Sequence, residues 1–423
     1  MDSQLFSINR EYAIKKDEAD PLRSFRDLFH IPTQANGDEH IYLCGNSLGL
    51  QPKSTKEALL QELQSWQNLG VEGHFHGKNP WVPYHEYLTE VMADIVGAKH
   101  HEVVTMNTLT VNLHLMLVSF YRPTSKRYKI LIEAQAFPSD RFAVDSQIRF
   151  HGYDPSVALI EVKPRNGETL LRHEDIKDII DREGDQIALI LFGNTNYYTG
   201  QFLPIRQITE WGHAKGCMVG FDCAHAAGNM DLQLHDSGCD FAVWCTYKYL
   251  NGGPGSIASV FIHERHVNNK DIPRFEGWWG HNKDTRFLMR DEFDPIPGVE
   301  AWQLSCPPVL SMVPVWHSIK LFKQAGIKNL REKSISLTGY LEQLILTLGE
   351  DKITIITPSE KEQRGAQLSL FVKNANKHIF ENITKDGVIV DWREPGVIRV
   401  APAPMYNSYE DVWNYFDVLK NNL

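Results

Sequence analysis

Between about residue 100 and residue 265 the chain alternates short β-rich runs with longer amphipathic stretches, and this alternation restricts it to an α/β fold with a mainly parallel sheet. Residues 129–133, 157–162, 187–192, 218–221 and 241–244 read as buried strands, apolar on both faces, with 256–262 as a further candidate. The stretches 139–150, 173–183 and 205–215 carry helical spacing. They supply the crossover helices that parallel neighbours need.

From residue 271 to residue 308 the texture changes to Trp, Gly, Pro and scattered charge, too irregular for packed helices and long enough for a functional loop region. Beyond it, 313–349 is helical by pattern, 353–356, 367–372, 388–390 and 397–400 read as strands, and 409–419 as a closing helix. A chain of 423 residues exceeds what one core usually accommodates. The expected organisation is a large α/β domain over 53–308, a smaller α+β domain over 309–423, and an N-terminal arm over 1–52. The arm contains Gly45-Asn46-Ser47-Leu48-Gly49-Leu50, which cannot fold alone and so must pack on the domains.

Composition narrows the class of function. A net charge of −10 without a local basic patch argues against a nucleic-acid partner. The six cysteines form no C-x-x-C pair and mostly lie in apolar surroundings, as buried reduced thiols do. Disulfides and zinc are not expected. Residues 1–10 carry no apolar leader run and no 18-residue apolar run occurs, so a cytoplasmic protein with no membrane contact is expected. Gly73-His74-Phe75-His76 places two histidines one residue apart without a third ligand type nearby, and no metal is expected there.

The residues that carry chemistry stand in Phe221-Asp222-Cys223-Ala224-His225 and Trp244-Cys245-Thr246-Tyr247-Lys248-Tyr249. Pyridoxal phosphate needs a lysine amine for its resting Schiff base and a carboxylate to keep its pyridine nitrogen protonated. Lys248 and Asp222 offer both. Asp222 follows the run 218–221 at the carboxyl end, where open α/β sheets bind ligands, and His225 could orient the ring. The alternative is that Asp222 and His225 cap a strand and Lys248 lies on the surface. For a phosphate, Leu109 and Thr110 stand between the strand-like 103–106 and a helix beginning near Val111, although Thr108 or Thr110 could serve only as an N-cap. Phe137-Pro138-Ser139-Asp140 is a second strand-to-helix junction, offering a ring to stack and a hydroxyl, or merely core packing.

Taken in order, several segments resemble the kynureninases, members of the aspartate-aminotransferase-like (fold type I) pyridoxal-phosphate enzymes. They are Gly45 to Pro52, Leu109-Thr110-Val111-Asn112-Leu113-His114, Phe137 to Asp140, Tyr198-Thr199-Gly200-Gln201, Asp222 to His225, Tyr247-Lys248-Tyr249-Leu250-Asn251, Gly277-Trp278-Trp279-Gly280-His281 and Ile398-Arg399-Val400-Ala401-Pro402. The resemblance runs through nearly the whole chain. It implies hydrolysis of L-kynurenine or 3-hydroxy-L-kynurenine to L-alanine and anthranilate or 3-hydroxyanthranilate, in tryptophan degradation and the supply of NAD precursors. It also implies that Lys248 carries pyridoxal 5'-phosphate, that Asp222 pairs with its ring nitrogen, and that Tyr247 touches the phosphate and moves a proton.

By the same resemblance Leu109, Thr110, Phe137, Pro138, Ser139, Asp140 and His225 line the cofactor pocket. Trp278 reaches a phosphate across the interface of a homodimer with shared sites. Arg399 grips the substrate carboxylate, while His74, Ser47, Trp279 and His281 lie near its aromatic ring. Two positions depart from the family pattern. Cys306 stands before Pro307-Pro308 at a cofactor-contact position where Asn or Thr is usual, and Gly193 replaces a hydroxyl residue. A cysteine desulfurase-like lyase or an aminotransferase would share the anchor. The former needs a reactive cysteine on a mobile loop, the latter would not require the 277–281 loop, and a catalytically silent binding protein would lack the lysine.

Overall fold

In the computed structural model, which describes residues 8–373 and 377–423, the apolar runs assemble into one seven-stranded sheet. Residues 1–7, most of the stretch read as lacking a leader, lie outside the described residues. The strands are β1 (Val103–Thr105), β2 (Lys129–Glu133), β3 (Leu159–Val162), β4 (Ile187–Gly193), β5 (Met218–Asp222), β6 (Phe241–Trp244) and β7 (Ser259–Ile262). They lie in the order β1-β7-β6-β5-β4-β2-β3. Pairing is parallel from β3 through β6, and β7 runs antiparallel to both β6 and β1.

The principal helices are α1 (Arg10–Glu18), α2 (Thr55–Leu69), α3 (Glu86–Val96), α4 (Leu109–Phe120), α5 (Pro138–Phe150), α6 (His173–Glu183), α7 (Ile205–Ala214), α8 (Val309–Ala325), α9 (Ile327–Leu346) and α10 (Tyr409–Asn421). Side-chain alternation along each strand feeds two separate cores. Ile190 and Phe192 of β4 pack with α3, α6, α7 and α8, whereas Leu189 and Leu191 pack with α4 and α5. Helices therefore cover both faces, which explains why these strands are apolar throughout.

The structure shortens an expected strand and splits an expected helix. The strand expected over 157–162 begins only at Leu159, because Pro155–Ala158 forms a helical turn capped by Asp154, whose carboxylate accepts the Ser156 N–H at 2.9 Å. As the edge strand, β3 is only partly buried along most of its length. The helical stretch 313–349 is two helices broken at Gly326. The first of them, α8, packs on α2 and α3 and buries Met312, Val315 and Phe322 in the large-sheet core, so that core continues past residue 308.

The second sheet is antiparallel, with β8 (Ile353–Ile355), β9 (Leu368–Val372), β10 (Asp391–Arg393) and β11 (Val397–Val400) in the order β10-β11-β9-β8. Helices α9 and α10 cover it through Leu337, Leu341, Tyr415 and Leu419. The N-terminal arm packs here too. Helix α1 lies against α10, where the Asp17 carboxylate accepts the N–H groups of Tyr409 and Glu410 at 2.8 and 2.9 Å, a favourable place for negative charge. Ile41–Tyr42 adds a parallel pair with Val388–Ile389. Among the described residues no helix is long and apolar enough to cross a membrane. Cys44, Cys217, Cys223, Cys239 and Cys245 are buried, and Cys306 is exposed.

Asp240 ties together the amino ends of β5 and β6, opposite the ligand end of the large sheet. It is buried and accepts the Val219 N–H at 2.6 Å, with His213 at 2.9 Å and both Arg265 and His266 at 2.7 Å. Burial acts to raise its pKa, but hydrogen bonds from His213 and His266 and the Arg265 charge outweigh it and hold the carboxyl well below the usual range. Asp240→Asn should lower the unfolding free energy at pH 7 by about 3–5 kcal/mol, read from urea titration. A depressed folded-state pKa gives stability that is complete above the ordinary carboxylate value of about 4 and is lost as pH falls toward the folded value. The two proteins should therefore converge in stability on acidification, and a gap constant from pH 7 to pH 3 would contradict this role.

Candidate active site

The carboxyl ends of β2, β4 and β5 and the turn after β6 surround a pocket that is open to solvent. Asp222 is the last residue of β5, lying in register with Gly193 of β4, and its carboxylate accepts the Ala224 N–H at 2.7 Å. Lys248 comes four residues after the end of β6. Its Nζ donates to His225 Nε2 at 2.9 Å and stands 5.9 Å from the centre of the Phe137 ring. Burial, then the positive charge of Lys248, drives the His225 pKa well down, so the imidazole is neutral and able to accept that bond.

Asp222 and Asp140 form a buried carboxyl pair. Burial raises both, but the nearby Lys248 and the Ala224 N–H act to lower Asp222, whereas the Asp222 charge pushes Asp140 further up. The proton therefore resides on Asp140, which donates to Asp222 and leaves the latter as the charged partner of Lys248. Burial, and then the neighbouring Cys245, raises the Tyr247 pKa and keeps its phenol protonated as a donor.

Two helices point their first turns at this pocket. Helix α4 begins at Leu109, two residues earlier than its apolar pattern suggested, and α5 begins at Pro138, with Phe137 as its cap residue. Thr110 Oγ1 and Ser139 Oγ lie 2.7 Å apart across the two starts. Thr108 occupies the cap position of α4 but makes no side-chain cap bond. Unpaired N–H groups and two hydroxyls are what a phosphate needs. Phe137 meets Tyr197 edge-on at 5.4 Å and stands beside the space a flat ring would fill.

The arm closes the site from the other side. Gly49 N–H donates to Tyr247 O at 2.8 Å, and a Cβ on Gly49 would stand 2.3 Å from Lys248 O and 2.2 Å from Asn251 Oδ1, so only glycine permits this approach. Arg399 of β11 is buried. It donates to Asp391, to Ser47 Oγ at 3.1 Å and to Tyr197 O at 2.7 Å, and Ser47 Oγ in turn donates to Asp391 at 2.7 Å. Arg399 and Ser47 thus join the pocket through the backbone of one of its lining residues.

Leu109, Thr110, Phe137, Ser139, Asp140, Asp222, His225, Tyr247 and Lys248 all line the pocket, and Gly193 does as well. Trp278, Trp279, His281, His74 and Cys306 do not. Trp278 and His281 line a separate open cavity of about 780 Å³, Trp279 is buried under Arg286, and His74 packs edge-on against Trp81. His76 sits beside Glu72 rather than beside His74. The sequence reading missed Glu133, Thr195, Asn196, Tyr197 and Ala224, which complete the lining. For Glu133 a signal existed, since a carboxylate ending an apolar strand is the same pattern that singled out Asp222.

These residues fit pyridoxal phosphate. An amine, a charged carboxylate held by a neutral acid, two helix starts and an aromatic ring converge on one space. His225 Nδ1 and Asp140 Oδ1 are buried there without a partner, as expected of groups that await a polar ligand.

The description "Kynureninase C-terminal domain" matches residues 330–419. The chain is 54% identical to a kynureninase of Myxococcus xanthus, covering 99% of this chain and 98% of the relative. It is 53% identical to one of Koribacter versatilis over the full length of both, and 47% identical to one of Nematostella vectensis over 99% and 94%. Among solved structures, a cysteine desulfurase of Thermococcus onnurineus superposes with a TM-score of 0.74 at 17% identity, covering 90% of this chain and 94% of that one. The desulfurase CsdA of Escherichia coli gives 0.76 at 15% identity, covering 95% and 98%. At such identities the structures establish the fold, that of the fold type I pyridoxal-phosphate enzymes, and nothing further.

Proposed function

The chain belongs to the kynureninase family, and on that premise we propose that the Lys248 pocket performs the hydrolytic Cβ–Cγ cleavage of L-kynurenine or its 3-hydroxy form. The products are L-alanine and anthranilate or 3-hydroxyanthranilate. The observation that carries this reading is 54% identity to a kynureninase over 99% of the chain. The meeting of Lys248, Asp222, His225 and Tyr247 in one pocket supports it.

Bound pyridoxal phosphate supplies an aldehyde for amine exchange and a protonated ring that draws electrons from the breaking bond. The geometry supports the following parts for the protein's own residues. Asp222, kept charged by the proton on Asp140, would hold the proton on the cofactor's ring nitrogen. The Leu109 and Thr110 end of α4 and Ser139 would hold the phosphate, and Phe137 would cover the ring. Lys248 would serve as the base at Cα, with neutral His225 as its hydrogen-bond acceptor. Tyr247, a phenol protonated at working pH, donates to the β-carbon that becomes the methyl group of alanine. Arg399 and Ser47 orient the α-carboxylate, a task suited to a fixed guanidinium fork.

We also propose a homodimer with shared sites. Trp278, Phe75, Phe287, Leu288 and Met289 are exposed, and the Phe75 and Phe287 rings meet at 6.0 Å. Exposed apolar clusters of this kind mark interfaces. A second copy seated there would bring Trp278, His281, His74 and Cys306 to a neighbouring pocket that a single chain leaves without them.

Incubation with L-kynurenine should release fluorescent anthranilate and alanine in equal amounts. Sulfide from cysteine, or keto acids from amino acids, without anthranilate would instead favour a desulfurase or an aminotransferase. For the shared site, mixed dimers of Lys248→Ala and Trp278→Ala chains should regain activity that neither variant shows alone. Verified heterodimers that stay inactive would rule that arrangement out.

A further inference from the structure

We propose that Glu133 is a positioning residue of this site, a neutral carboxylic acid that keeps Asp222 the single charged carboxylate of the cofactor pocket and exchanges its proton through an adjoining second cavity. The proposal rests on the pyridoxal-phosphate reading of the pocket. Glu133 ends β2 with 3% of its surface exposed, and it lines the cofactor pocket and a neighbouring cavity of about 1000 Å³ at once. Gly193 and Asn196 complete the shared wall.

The carboxyl accepts only backbone N–H groups, from Gly193 at 3.0 and 3.2 Å and from its own residue. Among the described residues no lysine or arginine pairs with it. The groups around it are Asp140 of α5, Asp222 of β5, His225 and Lys248, and Lys248 is already committed to His225. On the cavity side, Arg165 is paired with Asp175 and Glu168 with Arg172. A second buried anion beside Asp222 would have no counter-charge, so Glu133 holds a proton instead, and burial pushes its pKa up to about 8. That proton needs a path to water. Asn166, Thr169, Thr199 and Gln201 give the second cavity a polar wall, and Asn166 and Thr169 are exposed at its mouth, so water reaches it.

The consequence is electrostatic. When Glu133 ionises, a negative charge appears beside the Asp140 and Asp222 pair and raises the proton affinity of any group bound against them. Glu133→Gln removes that charge while keeping the shape.

Infrared difference spectra of the holoenzyme, wild type minus E133Q, should show a carboxylic-acid C=O band at pH 6.5 that gives way to carboxylate bands with a midpoint near pH 8. The band should shift promptly on transfer to D2O. In parallel, the alkaline titration of the Lys248-linked cofactor's absorbance should move to lower pH in E133Q by about half a unit, a threefold change in proton affinity. A carboxylate signal already present at pH 6.5, or superimposable absorbance titrations, would overturn the proposal. If E133Q does not fold, Gly193→Ala, whose Cβ would stand 2.6 Å from Glu133 Oε1, should displace the same infrared band, and an unmoved band would count against the assignment. A protein that shows the infrared band but no lysine-linked absorbance would fail the cofactor reading and not the protonation of Glu133.

Discussion

A single charged carboxylate held out of water at the carboxyl end of a parallel strand governs the arrangement around it. Asp222 can remain ionised only because Lys248 stands near, the Ala224 N–H reaches it and Asp140 carries a proton toward it. Each of these depends on the sheet. Strand β5 lies between β4 and β6, so Gly193 at the end of β4 and the turn leading to Lys248 flank the carboxylate. The helix starts at Leu109 and Pro138 then bring partial positive charge to the same space. The pocket is thus an electrostatic balance of one anion, one amine, two neutral acids and two helix ends, and losing one member changes the protonation of the others.

The parts of the chain outside the large sheet lock this balance in place. The arm approaches so closely at Gly49 that the backbone of the lysine turn is fixed from outside, while Ser47 joins Asp391 and Arg399 in one network. Arg399, paired with Asp391, also donates to the carbonyl of Tyr197, a pocket residue, so the small antiparallel sheet is coupled to the cofactor end by a hydrogen bond from a buried ion pair. A buried pair of this kind adds little net stability but strongly penalises misplacement, which suits a residue that must meet a carboxylate in one orientation.

Much of this was legible in the amino-acid sequence because the large sheet is covered on both faces. Its strands read as continuous apolar runs, and the polar residues that end them stand out, as Asp222 does. What escaped had physical reasons. The run 157–162 is apolar enough for a strand, yet Asp154 and Pro155 favour a capped helical turn first. The stretch 313–349 keeps one helical period through Gly326, so periodicity alone did not show the break or the return of α8 to the large core. Glu133 carried the same signal as Asp222 but had no place in the motif that drew attention. The positions of Trp278, His281, His74 and Cys306 came from resemblance only. Their side chains lie on loops whose destination depends on contacts far away in the chain, and within one chain they remain outside the pocket.

Lys248 is the group on which the chemistry turns, and borohydride reduction of the holoenzyme followed by peptide mass spectrometry tests it most directly. The cofactor should be fixed to the peptide containing Tyr247-Lys248-Tyr249, with the added mass on Lys248 and no such product from Lys248→Ala. Modification of a different lysine, or a reduced protein carrying no cofactor on that peptide, would contradict the site described here.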